Sequence, residues 1–167
     1  LSASKTSSND PKFDFSNPDE IPLVTIQLPV YNELYVIERL LENMSKMEYP
    51  KNKLEIQVLD DSTDESFQST AEQIARLQKS GLDISHIHRT NRTGFKAGAL
   101  KEGLKTAKGQ FIAIFDADFL PQHDWLKRTI PYFKNEKIGV VQTRWGHINR
   151  NYSILTKIQA FALDAHF

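Results

Sequence analysis

Residues 111–118 read Phe-Ile-Ala-Ile-Phe-Asp-Ala-Asp, five residues suited to a strand buried on both faces that run straight into two carboxylates. Charges inside such a strand would carry a large desolvation cost. Asp116 and Asp118 therefore belong at its carboxyl end, the edge where an open α/β sheet keeps its ligand crevice. A single residue separates them, so in extended geometry both side chains point the same way and form a hard-oxygen site suited to Mg²⁺ or Mn²⁺. The alternative is a turn in which the two aspartates cap the next helix, because Asp favours turns and caps for local hydrogen-bonding reasons.

Working outward, the same alternation recurs. Leu23 to Leu28 reads as a first strand stopped by Pro29, and a helix follows with Val36, Ile37, Leu40, Leu41, Met44 and Met47 at helical spacing. Leu54 to Leu59 is a second strand ending in Asp60-Asp61-Ser62-Thr63-Asp64, before a helix with Phe67, Ala71, Ile74 and Ala75 on one face. Ile84 to His88 is a third strand. The polar loop Arg89 to Gly94 leads from it into a helix with Ala97, Leu100, Leu104 and Ala107 inward. Beyond Asp118, Trp125, Ile130 and Phe133 suit a helix that Pro131 bends or ends. Ile138 to Thr143 reads as a fifth strand, and from Ser153 a helical stripe of Ile154, Leu155, Ile158, Phe161 and Ala162 runs to the last residue. Strand–helix alternation of this kind predicts right-handed crossovers and a mostly parallel sheet with helices on both faces, an α/β fold.

Composition sets the bounds. The 167 residues, 40% of them hydrophobic, suffice for one domain with a sizeable core. Residues 1–20, rich in Ser, Asn, Asp and Pro, read as a flexible leader, and the domain is expected to occupy 21–167. Lys and Arg balance Asp and Glu at 21 each, which argues against nucleic acid as the main partner. Absence of cysteine excludes disulfides and thiolate metal sites and fits a reducing compartment. No run approaches the about eighteen apolar residues needed to cross a bilayer, so the chain itself reads as soluble.

Polar residues cluster after the first, second and fourth strands, positions that a parallel sheet brings out on one edge. Tyr31 can stack on a flat base, Asp61 can accept from a ring N–H, and Asp116 with Asp118 can hold a divalent metal between diphosphate oxygens. Arg92-Thr93-Gly94-Phe95-Lys96 adds cations beside a helix start, where exposed N–H groups and the dipole favour phosphate. Each residue also has an ordinary reading: Tyr31 as packing, Asp60 to Asp64 as a helix cap, Lys96 as an exposed first-turn residue. Their coincidence on one edge points to a nucleotide-diphosphate site.

Pro29-Val30-Tyr31-Asn32-Glu33, Asp60-Asp61-Ser62-Thr63-Asp64, Lys96-Ala97-Gly98 and Asp116-Ala117-Asp118, in that order, resemble the motifs of family 2 glycosyltransferases over residues 22–165. Lys96-Ala97-Gly98 and Val141-Gln142-Thr143 are similar to the branch containing cellulose synthase, mannan and glucan synthases and ceramide glucosyltransferase. The resemblance implies the GT-A nucleotide-sugar fold and an inverting hexosyltransferase acting on a polysaccharide or lipid acceptor. It implies Pro29, Tyr31 and Asp61 about the uracil of a UDP-sugar, with Glu33 in the same nucleotide-binding motif. Lys96 then faces the diphosphate, and Asp116 and Asp118 form the metal-binding D-x-D, with Asp116 also among the nucleotide contacts. For the complete protein the resemblance implies embedding in a membrane, with this domain on the cytoplasmic face.

Family members carry a later acid, in a T-E-D or E-D motif, as general base, and processive members a Q-x-x-R-W motif. Neither occurs here: Gln142-Thr143-Arg144-Trp145 is one residue too short, and Asp164 lies on the apolar-striped terminal helix without the expected context. The base is accordingly expected beyond Phe167, the fold is read as truncated on its C-terminal side, and the chain alone is expected to transfer no sugar and to self-associate through the terminal stripe. Two rival classes share some of these features. An aspartate-dependent phosphohydrolase or phosphotransferase would use Asp116 as nucleophile, but its D-x-D ordinarily follows the first strand and is trailed by a small residue and Thr, where Phe119-Leu120 stands here. A noncatalytic nucleotide-binding module would share the Asp60-Asp61 pair and the α/β pattern.

Overall fold

The computed structural model describes residues 14–143. Strands β1 (Val24–Val30), β2 (Leu54–Asp60), β3 (Asp83–His88) and β4 (Phe111–Ile114) alternate with helices α1 (Leu34–Ser45), α2 (Ser66–Lys79) and α3 (Phe95–Leu104). Helix α4 (Trp125–Thr129) follows β4 and passes into a 3₁₀ turn at Ile130–Lys134. The four strands form one sheet in the order β3-β2-β1-β4, parallel throughout. The chain divides into compact units after Lys134, and the first of them contains the sheet. Among the described residues, no helix is long and apolar enough to cross a membrane.

The two faces of the sheet are chemically different. Val24, Ile26, Leu28 and Val30 alternate along β1 and join Ile37, Leu40, Leu41 and Met44 of α1 in the hydrophobic core. The other face carries buried polar side chains. Thr25 Oγ1 donates to Glu55 at 2.5 Å and Gln27 Nε2 to Gln57 Oε1 at 3.0 Å, while the backbone N–H of Lys108 reaches Glu55 at 2.8 Å. Pairing these groups with one another removes most of the cost of burying them, although Gln27 Oε1 is left without a partner. Helix α3 covers this face with small residues, Ala99 and Gly103. A Cβ at Gly103 would meet Gln27 Nε2 at 2.5 Å and Gln57 Oε1 at 2.8 Å. Gly103→Ala is therefore expected to destabilise the chain by about 1–3 kcal/mol, against the stabilisation that helix propensity alone would give; urea unfolding measures it.

Several expectations change. Pro29 does not stop β1 but sits within it, opposite Leu59. Gln27 C=O accepts from Phe115 N–H, so two residues later the Pro29 nitrogen faces the same side, beyond the last β4 pair at Ile114, where no ladder hydrogen bond is lost. On helix α2 the expected Ile74 is buried, but its buried neighbours are Ser66, Thr70 and Gln73, Phe67 and Ala71 are only partly buried, and Ala75 is exposed. Helix α3 turns inward Ala99 and Gly103, leaving Leu104 54% exposed. Residues 138–143 form no strand, and Val140 is 82% exposed. β-forming side chains make a strand only where a neighbour supplies a ladder and a packed face. The terminal stripe from Ile154 to Ala162, Asp164 and the leader before Asp14 lie outside the described residues; within 14–20, Phe15 packs edge-on against Tyr49 at 6.1 Å.

Candidate functional site

Strands β1, β2 and β4 end on one edge of the sheet, and the segments leaving them line a cleft of about 390 Å³. Its walls are Pro29, Val30, Tyr31, Glu33, Asp61, Arg92, Lys96, Ala99, Asp116, Ala117 and Asp118. The structure thus brings Pro29, Tyr31, Glu33, Asp61, Arg92, Lys96, Asp116 and Asp118 together in one cleft. Register places them: β1 pairs with β2 through Val30 and Asp60, and Asp61 N–H continues the ladder to Val30 C=O at 3.1 Å. Asn32, in the left-handed region at φ 55°, ties the loops after β1 and β2 together. Its N–H donates to Ser62 Oγ at 2.9 Å, and its side-chain oxygen accepts from Thr63 N–H at 3.0 Å.

The D-x-D aspartates do not cap a helix, since α4 begins only at Trp125. They occupy a turn in which Phe119 N–H returns to Asp116 C=O at 2.9 Å. Buried Ala117 separates the two, leaving Asp116 half-buried and Asp118 exposed in the cleft. Asp116 pairs with the Lys96 ammonium. The acidic run after β2 divides into three roles. Asp64 lies just before α2 and accepts from Ser66 N–H at 3.0 Å. Asp60 is buried beneath the site, where Oδ2 meets His86 Nε2 at 2.8 Å and Oδ1 accepts from Ser62 N–H at 2.8 Å. Burial opposes its ionisation, but the hydrogen bonds from His86 and Ser62 outweigh burial and hold its carboxyl below the usual range. Only Asp61 faces the cleft.

Asp61 is gripped by Arg89, the first residue of the polar loop after β3. Arg89 Nε donates to Asp61 Oδ1 at 2.7 Å and Nη2 to Oδ2 at 2.5 Å, a two-pronged pair with 11% and 5% side-chain exposure. The same guanidinium donates to Thr93 C=O at 3.2 Å and Phe95 C=O at 3.1 Å, holding the loop that carries Arg92 and Lys96. Hydrogen bonding to Asp61 raises the Arg89 pKa above its usual value. Its position, one residue past β3 and beside the end of β2, was the available signal. Arg92 lies over the Tyr31 ring, 3.3 Å from its centroid, covering the face on which a base would stack.

Two hard-oxygen carboxylates with a cation already drawn to one of them fit a divalent metal. Among the described residues no cluster of three or more His, Cys, Asp or Glu converges.

Glucomannan 4-beta-mannosyltransferase 9 of Arabidopsis thaliana is 41% identical over 151 residues, covering 87% of this chain and 28% of the relative. The chain spans 26–28% of the length of the curated relatives it matches. Among solved structures, the mannosyltransferase PcManGT from Pyrobaculum calidifontis, in complex with GDP-Man and Mn²⁺, shares 33% identity at a TM-score of 0.65, with 80% of this chain and 38% of that one covered. S. aureus TarS 1–349 in complex with UDP-GlcNAc, at 22% identity, a TM-score of 0.59 and coverage of 75% and 38%, shares the fold. The profile of glycosyl transferase family 2 matches residues 25–163, and the chain belongs to that family.

Proposed function

We propose that this chain is the donor-binding part of an inverting glycosyltransferase that takes a nucleotide-diphosphate sugar with a divalent metal and passes the sugar to a polysaccharide. The observation that carries this reading is the convergence of Tyr31, Asp61, Lys96, Asp116 and Asp118 in one cleft. Pro29 and Tyr31 flank the base, Asp61 accepts from its ring N–H, and Glu33 completes that end of the site. Arg92 shifts off the Tyr31 ring to admit the base. Lys96 and the α3 N-terminus face the diphosphate. Asp116 and Asp118 hold the metal, which when bound offsets charge on the departing diphosphate. The acceptor oxygen attacks the anomeric carbon, the bond to the diphosphate oxygen breaks, and the acceptor proton passes to a base outside these 167 residues.

The mannosyltransferase names of the relatives and the GDP-Man of one structural neighbour favour GDP-mannose over the UDP-sugar implied by the motifs, and a β-linked polysaccharide over a lipid acceptor. In the complete protein we place the domain on the cytoplasmic face of a membrane. Calorimetry with GDP, GDP-mannose, UDP and UDP-glucose, with Mn²⁺ or with chelator, tests the assignment. GDP is expected to bind more tightly than UDP, and Asp118→Asn to lose about tenfold of the metal-dependent affinity, roughly 1.4 kcal/mol. Equal affinity of Asp118→Asn and wild type with Mn²⁺ present would remove the metal assignment. Tighter binding of UDP would return the donor to a UDP-sugar.

A further inference from the structure

We propose that Lys96 is a displaceable counter-ion that makes metal binding and donor binding depend on each other, an inference that rests on reading Asp116 and Asp118 as the metal site. The ion pair of Lys96 with Asp116 places an ammonium on one of the two carboxylates that the metal would need. A divalent ion and an ammonium repel each other at ligand distance, so the metal has to evict Lys96. Eviction is feasible because the pair is partly solvated, with side-chain exposures of 51% and 38%, and pairs of this kind are weak.

The backbone makes this competition a built feature of the loop. Gly94 and Phe95 are both left-handed, at φ 75° and 47°, immediately before Lys96, and Phe95 is 67% exposed. Bulky residues rarely adopt that conformation, and here it immediately precedes the residue that pairs with Asp116. The other two cations of the segment are engaged elsewhere: Arg89 holds Asp61, and Arg92 lies on Tyr31. Lys96 alone of the three sits on a D-x-D carboxylate.

Without a donor, then, Lys96 neutralises Asp116 and weakens the site for metal. A diphosphate bound at the α3 N-terminus offers Lys96 a more highly charged partner, and its departure leaves both aspartates to the metal. By linkage the effect is reciprocal: metal bound first leaves Lys96 without its carboxylate and available to the diphosphate. No bond is made or broken; one ion pair is exchanged for two charge contacts. The device lowers metal occupancy of the site when no donor is bound.

Titration of Mn²⁺ followed by the electron paramagnetic resonance of the unbound ion, with and without GDP, tests this on the intact chain. Lys96→Met is expected to bind Mn²⁺ alone about fivefold more tightly than wild type, the upper range for an exposed pair, and the enhancement of Mn²⁺ affinity by GDP should shrink by the same factor. Lys96→Arg, which keeps the charge, should behave as wild type, and Lys101→Met, further along the same helix, should leave Mn²⁺ affinity unchanged. The inference is overturned if Lys96→Met binds Mn²⁺ no more tightly than wild type, or if Lys101→Met produces an equal gain, which would show bulk charge acting instead of the contact. Failure of the underlying reading looks different: Asp118→Asn would then bind Mn²⁺ as tightly as wild type, whatever Lys96→Met does.

Discussion

Arg89→Ala is expected to lower stability by about 3 kcal/mol and to weaken nucleotide binding as well, although Arg89 is not among the residues lining the cleft. Removing the guanidinium strands the Asp61 carboxylate, whose side chain is only 5% exposed, and leaving one member of a buried pair uncompensated costs more than the pair itself contributes. It also removes the donors to Thr93 and Phe95 C=O, which fix the loop carrying Arg92 and Lys96. Binding falls for a separate reason. A carboxylate has about four acceptor positions, so Asp61 can take both Arg89 prongs and still accept from a base N–H, but only while Arg89 holds its orientation. The double variant Arg89→Ala/Asp61→Ala should recover part of the stability and none of the binding, because it deletes the stranded charge together with the acceptor. Urea unfolding and calorimetry with GDP separate the two effects. An Arg89→Ala protein that unfolds like wild type would show that Asp61 is hydrated rather than held.

The fold class was legible because short stretches with strand-forming residues alternate with helical periods, and β1, β2, β3 and β4 fall on those stretches; the expectation of burial on both faces fails for β4, an edge of the described sheet with Ile114 47% exposed. The edge on which the site gathers was legible for the same reason, since parallel strands bring their carboxyl ends together. Helix orientation was less so. Periodicity finds the face with large side chains, which succeeds for α1, where Ile37, Leu40, Leu41 and Met44 are buried, and fails for α3, where Ala99 and Gly103 pack against buried polar groups and Leu104 faces out. The polar layer of Thr25 and Gln27 against Glu55 and Gln57 was not legible in sequence, because only the pairing of β1 with β2 brings these groups within hydrogen-bond reach of one another. The site residues were legible one at a time, but not their present partners. That Arg89 holds Asp61, Arg92 covers Tyr31 and Lys96 pairs with Asp116 depends on a loop path set by two left-handed residues. The proposed fifth strand failed because β-propensity is a statement about neighbours, which a single segment cannot supply.

Gly98→Ala is the substitution for which local and tertiary rules disagree most sharply. In an exposed helix interior, alanine in place of glycine stabilises by about 1 kcal/mol through helix propensity, so Gly98→Ala in α3 would on that ground be harmless. The structure predicts the opposite. A Cβ at Gly98 would stand 2.0 Å from Thr93 C=O oxygen and 2.7 Å from Arg89 Nη1, far inside contact distance. The nearer atom is backbone, so it cannot move aside as the end of a side chain could. Accommodating the methyl means displacing the 93–95 turn, and with it the Thr93 and Phe95 carbonyls that Arg89 holds. Gly98 is therefore the third residue of Lys96-Ala97-Gly98 because α3 is packed against the loop that aims Lys96, and the motif is a spacing requirement as much as a charge. Gly98→Ala is expected to reduce stability by about 1–3 kcal/mol, as overpacking commonly does, and to lower GDP affinity by more than Lys96→Met does, since it moves Arg92 and Lys96 together. Measured unfolding midpoints and GDP binding of the two variants decide the matter; a Gly98→Ala protein more stable than wild type, with unchanged GDP affinity, would show that the loop yields to the methyl at no cost and that its path does not set the site.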